Sequence, residues 1–225
     1  MGAPDLLRDR LAQIEEEHAT LRSELAAFQS DYLRQVGVVD MQVQELEAKI
    51  LAIVAFRSGA VEDVAAADAA QQRFRETTTA MSAIPAPAGP PPGEDLKTLF
   101  RDAAKRMHPD LQPDEAGRGH AEAFMKQLNQ AYAAGDGDAI GNLVRQWELS
   151  PYAVAGPGNS QAPALAAAVE QAEARLAATR ASELAQLMEQ TFMASMHGRD
   201  LLQELRWNAE EALANTKLRV ASLDE

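Results

Sequence analysis

The sequence predicts an all-α fold built from long helices, and three observations predict it. The apolar share is ordinary at 46%, yet aromatics are only 5% and alanine supplies much of the remainder. That composition suits helices packed along their lengths better than a large aromatic core. Apolar residues also recur at three- and four-residue steps over long stretches near both ends of the chain. Proline and glycine gather in a few places, which marks linkers and leaves the stretches between them free to be helical. At 225 residues the chain has room for one or two domains.

The first helix starts at Asp5. Leu7, Leu11, Ile14, His18, Leu21, Leu25, Phe28 and Tyr32 alternate four- and three-residue steps, which is a heptad seam. Tyr32 is then followed by Val36, Val39, Val43, Leu46, Ile50 and Ile53, so two four-residue steps fall in succession. Such a stutter locally unwinds a left-handed supercoil, and Gly37 softens the helix at the same place. Continuous from Asp5 to Phe56, the helix would be about 75 Å long. It would not be stable alone, so its seam needs a partner. Phe28 and Tyr32 are expected in the core, and His18 reads as a polar seam residue that helps to set register.

Ser58-Gly59 stops this helix, and an alanine-rich second one follows from Ala60 to about Thr77, with Val61, Val64 and Phe74 as its contacts. Residues 84–93, Ile-Pro-Ala-Pro-Ala-Gly-Pro-Pro-Pro-Gly, form a semi-rigid extended linker. A compact unit spans 94–149. A second linker covers 150–163, with Pro151 and Gly156-Pro157-Gly158. Beyond it, a further long helix is expected from about Ala164 to Val220, with Gly198 as its weak point. The helical regions 1–83 and 164–225 are expected to pack antiparallel on one another, or to pair across a homodimer.

The compact unit carries the chemistry. Leu96, Leu99, Phe100, Ala103 and Met107 make one apolar stripe, and Phe124, Leu128, Ala131 and Tyr132 make another. Between them stands His108-Pro109-Asp110. Pro109 lacks an amide hydrogen and restricts the residue before it, so the first helix ends near Met107-His108. A polar loop with Pro113, Gly117 and Gly119 is expected to lead to the second helix at Ala121. A third, with Ile140, Leu143, Val144 and Trp147, closes the unit. Lys97, Arg101, Lys105 and Arg106 lie off the first stripe, towards solvent. In so acidic a chain, this basic face reads as a docking surface for an acidic partner rather than a merely solvated face.

These residues resemble the J-domain, the module by which DnaJ-type co-chaperones engage heat-shock ATPases of the DnaK type. The resemblance rests on Leu96-Lys97, Phe100-Arg101, His108-Pro109-Asp110, Phe124 and Ala131-Tyr132, and it covers about fifty residues. It implies an embedded J-domain-like helical hairpin with Leu96, Leu99, Phe100, Ala103, Phe124, Leu128, Ala131 and Tyr132 as its core. It further implies that His108, Pro109 and Asp110 contact a DnaK-type ATPase and trigger hydrolysis, with Lys97, Arg101, Lys105 and Arg106 holding an acidic surface on it. The long coiled-coil-like helices would then serve self-association or binding of a client protein. The chain departs from the family where a first helix would precede Glu94, because the proline-rich linker stands there, and where Met107 replaces a tyrosine. The competing reading is a coiled-coil scaffold or assembly adaptor carrying a degenerate J-domain. Whether the helix at 60–80 packs back on the hairpin as a substitute first helix would help to separate the two.

Several function classes are disfavoured. The net charge of −13 repels a phosphate backbone, so no nucleic-acid partner is expected. Without cysteine there are no disulfides or thiolate metal sites. No metal or cofactor is expected: His120 and His197 lack ligand spacing, and no phosphate-binding glycine loop is present. No serine or cysteine neighbours His108 in sequence, so no enzyme is expected. The N-terminus resembles no signal peptide, and no apolar run could span a bilayer, which makes a soluble cytoplasmic protein the expectation. Met188, Met193 and Met196 with Phe192 read first as ordinary core and second as an adaptable client-binding face.

Overall fold

The computed structural model describes residues 2–82, 92–153 and 162–223, and the chain is all-α, with no strand among the described residues. Helix α1 (Ala3–Tyr32) runs through a π-helical turn (Leu33–Gly37) into α2 (Val38–Ser58), and α3 follows (Val61–Ser82). The central helices are α4 (Glu94–Met107), α5 (Glu115–Ala133) and α6 (Gly137–Glu148), with a 3-10 turn at Pro109–Leu111. Helices α7 (Ala162–Arg180), α8 (Glu183–Met196) and α9 (Leu201–Ala221) complete the chain. Among the described residues no helix is long and apolar enough to cross a membrane.

The π-helical turn falls on the stutter. Two successive four-residue steps place one residue too many between seam positions, and a π-helical turn holds one more residue than an α turn. The extra residue is absorbed there. Gly37 suits the position, since a Cβ on it would lie 3.0 Å from the Leu33 side chain and 3.3 Å from Met81 Sδ.

The chain folds as two compact units, and they cut across the division that the linkers suggest. One unit comprises Met1–Ala26 with Ala88–Gln186, the other Ala27–Pro87 with Leu187–Glu225. A helix of 30 residues is about 45 Å long, more than one small core can cover, so α1 contributes to both. Most of the two expected linkers, 84–91 and 154–161, lies outside the described residues.

In the first unit α4, α5 and α6 share one core. Phe100, Ala103, Ala104, Met107, Ala121, Phe124, Met125, Leu128, Ala131, Tyr132, Ile140, Leu143 and Trp147 are buried together, with Ala12 of α1 among them. Phe100 and Tyr132 meet at 4.7 Å between ring centroids. A second cluster joins α1 to α7 through Leu11, Ile14, Leu165, Ala168, Ala172 and Leu176, and Leu111 belongs to it. These two helices run parallel: Arg10 pairs with Glu173 at 2.8 Å, Glu15 with Arg175 at 2.6 Å and Glu17 with Arg180 at 3.3 Å, so both numbers rise together. Among the described residues α1 and α7 therefore do not show the expected antiparallel packing. Antiparallel neighbours follow from short loops, whereas here α4–α6 lie between the two helices in the chain.

In the second unit α2 and α3 form an antiparallel pair turned at Gly59, whose φ is 63° and whose amide donates to the Ala55 carbonyl. Glycine enters this left-handed region without a Cβ penalty. Helix α9 packs on α2 in the same direction, since the Arg57 guanidinium donates to the Leu223 carbonyl where both helices end. Ala48, Ile50, Ala55, Ala70, Leu202 and Ala209 are buried. Three sequence expectations fail here. Val61 and Val64 are exposed, and Ala70 is buried on α3 in their place. Phe28 and Tyr32 are only partly buried. Phe192, Met193 and Met196 are more than half exposed, so they are not core. The C-terminal helix breaks at Gly198 as expected, with φ 73°. It also breaks at Ala181-Ser182, where the Ser182 hydroxyl accepts from the Ala185 amide and caps α8.

Candidate functional site

Helix α4 ends where proline requires. His108 is extended (φ −69°, ψ 134°), and Pro109 opens the 3-10 turn. The His108 Nδ1 accepts from the Asp110 amide at 3.2 Å, so the ring caps its own turn. An amide can only donate, which leaves Nε2 of the neutral ring as the protonated nitrogen. That nitrogen faces Glu15 Oε1 of α1 at 3.5 Å. His108 is 5% exposed. Pro109 is half-buried and Asp110 exposed. Leu111 continues into the apolar cluster between α1 and α7.

The segment after the turn differs from expectation. Helix α5 starts at Glu115, so Gly117 and Gly119 lie in its first turns rather than in a loop. Asp114 caps it, accepting from the Gly117 amide at 2.7 Å, and this offsets the weak helix propensity of the glycines. Gly117 also permits a close approach, as a Cβ would lie 3.0 Å from Gln112 Oε1 and 3.1 Å from Asp114 Oδ1.

The basic face of α4 is occupied. Lys105 Nζ lies 2.8 Å from Asp9 Oδ1, and Arg101 lies 3.7 Å from Glu16 Oε2; both acids are on α1. Arg106 pairs with Glu148 of α6, and Lys97 with Glu94 of its own helix at 3.2 Å. The Tyr132 hydroxyl lies 2.7 Å from Thr20 Oγ1 and donates to Glu16 Oε1 at 3.3 Å. Burial pushes the Tyr132 phenol up to about 12, with the Glu16 carboxylate adding to the rise. Burial alone would raise Glu15, but the His108 and Arg175 contacts outweigh it and hold its carboxyl below the ordinary value.

Of the stripe residues, Phe100, Ala103, Phe124, Leu128, Ala131 and Tyr132 are buried in the shared core, and Leu96 packs against it. Leu99 does not join them. It is 43% exposed, because Phe100 takes the inward position and Leu99 lies beside Gly137 at the start of α6.

Sequence reasoning missed the acidic partners Asp9, Glu15 and Glu16, and Thr20 with them. The Glu15-Glu16-Glu17 run on the flank of an apolar seam was the available signal, since it complements the basic face of α4. His120 stacks among Phe124, Trp147 and Tyr152 at 4.9 to 5.7 Å, a structural position. His18 contacts Thr179 Oγ1 at 3.0 Å, and burial lowers its pKa. Among the described residues no group of His, Asp and Glu could hold a metal ion. No family model, curated protein or solved structure matches this chain.

Proposed function

We propose that this chain is a J-domain-type co-chaperone, which recruits a DnaK-type ATPase and stimulates its ATP hydrolysis. One observation carries the reading. Phe100, Phe124, Ala131 and Tyr132 of the resemblance share the small core of α4, α5 and α6, Leu96 packs against it, and the His-Pro-Asp turn stands at the end of a helix that carries Lys97, Arg101, Lys105 and Arg106. His108, Pro109 and Asp110 would trigger the ATPase. Lys97, Arg101, Lys105 and Arg106 would orient an acidic surface on it, an interaction that salt weakens. The chain needs no catalytic residue or cofactor of its own for this. The exposed Phe192, Met193 and Met196 supply an adaptable apolar face suited to a client protein.

The second reading, a helical scaffold with a degenerate J-domain, is favoured by the burial of His108 and by its contacts to the chain's own atoms. The helix at 60–80 does not decide between them. It belongs to the second unit, and α1 is the helix that reaches the α4–α6 core instead. Single-turnover ATP hydrolysis by a DnaK-type chaperone separates the readings. Stimulation by the parent chain that His108→Gln abolishes supports the co-chaperone. A chain that never stimulates, including when its His-Pro-Asp turn is exposed, refutes it.

A further inference from the structure

We infer that α1, held on α7, is an intramolecular mask that occupies the docking face of α4 and the His-Pro-Asp turn, and that an acidic partner engages this face by displacing it. The inference rests on the co-chaperone reading and concerns how that site is controlled.

Three features argue for a mask rather than a fixed part of the core. The first is which groups α1 offers. Asp9, Glu15 and Glu16 meet Lys105, His108 and Arg101, so carboxylates stand where an acidic partner would place its own. The second is how little apolar surface holds α1 to α4–α6. Among the described residues of α1, Ala12 is the one buried in that core, with Ala19 partly buried beside it. The large apolar side chains of α1, Leu11 and Ile14, are spent on α7 instead. The other buried residues described in that core lie on α4, α5 and α6. The third is Leu111, directly after the motif. It is 8% exposed and sits in the α1–α7 cluster, so the pair grips the turn as well as the helix face. The contact consists of ion pairs, the Tyr132 hydroxyl's bonds to Thr20 and Glu16, two alanines and one leucine; it buries the His108 ring and leaves Asp110 exposed, so it is polar enough to exchange for an external partner.

Two variants of the full chain test this. Ala12→Trp inserts bulk where α1 approaches the core most closely, and Asp9→Asn with Glu16→Gln removes two masking carboxylates without changing size. Each is compared with the parent for stimulation of a DnaK-type ATPase, and for deuterium uptake at the His108 imidazole C2 carbon. If the free face is populated at about 1–10%, unmasking raises the apparent affinity for the ATPase about ten- to a hundredfold. The expected result is that gain, together with faster uptake at His108, and its loss when His108→Gln is added. Faster uptake with stimulation equal to the parent's overturns the mask and leaves the co-chaperone reading standing. Uptake and stimulation both equal to the parent's also overturn it, because α1 then does not cover the ring. Faster uptake with no stimulation by any variant overturns the co-chaperone reading, and the mask falls with it.

Discussion

Leu99 and Phe100 are neighbours on one predicted stripe, and the structure separates them. Phe100 is fully buried against Tyr132, whereas Leu99 is 43% exposed. Replacing Phe100 with alanine removes roughly 150–200 Å² of buried apolar surface, about 4–5 kcal/mol at ~25 cal/mol per Å². Measured large-to-small core changes of this kind cost about 3–5 kcal/mol. Leu99→Ala removes half-exposed surface and leaves no closed cavity, so its cost is about 1 kcal/mol. The tryptophans make a clean assay. Trp147 is buried in the α4–α6 core, whereas Trp207 is 62% exposed in the other unit. In a Trp207→Phe background, the blue-shifted emission of Trp147 reports the unfolding of this core alone. With a urea slope of about 2 kcal/mol per M, Phe100→Ala lowers the midpoint by about 2 M and Leu99→Ala by about 0.5 M. Equal shifts would refute the placement of α4 and, with it, the assignment of its outer face.

Further predictions follow from the same geometry. The Glu15 carboxyl is held below its ordinary value of 4.5, so its contribution is present above that pH and lost as pH falls through the lower folded value. An acid titration of Trp147 emission should show this loss, and Glu15→Gln should flatten it. The Tyr132 phenol is raised to about 12, so its contribution is intact below pH 10 and lost between pH 10 and about 12. An absorbance titration of the phenols should show one ionising near pH 12, and this step should be absent in Tyr132→Phe. Deleting exposed Gln35 from the π-helical turn leaves an ordinary α turn, and thermal unfolding by circular dichroism should show a cost within about 1 kcal/mol. Deleting Glu47 from regular α2 should cost several times more, because each later residue then rotates by about 100°.

The sequence by itself determined the helices and many of their ends. Pro109 stopped α4, Gly59 and Gly198 marked breaks, and one surplus residue in the seam marked the π-helical turn. These are local matters of backbone freedom and periodicity, carried by residues within a turn or two of one another. Periodicity also named most of the buried face of α4 and α5, but it could not choose between adjacent Leu99 and Phe100, since both fit one stripe. Only the tertiary structure decided what each face meets. It set α1 parallel to α7, exposed Phe192 and its neighbouring methionines, and brought Asp9, Glu15 and Glu16 to a basic face about ninety residues away. Charge complementarity between distant segments has no local signature. It becomes an interaction only when packing elsewhere, here Leu11 and Ile14 against α7, holds the two faces within reach.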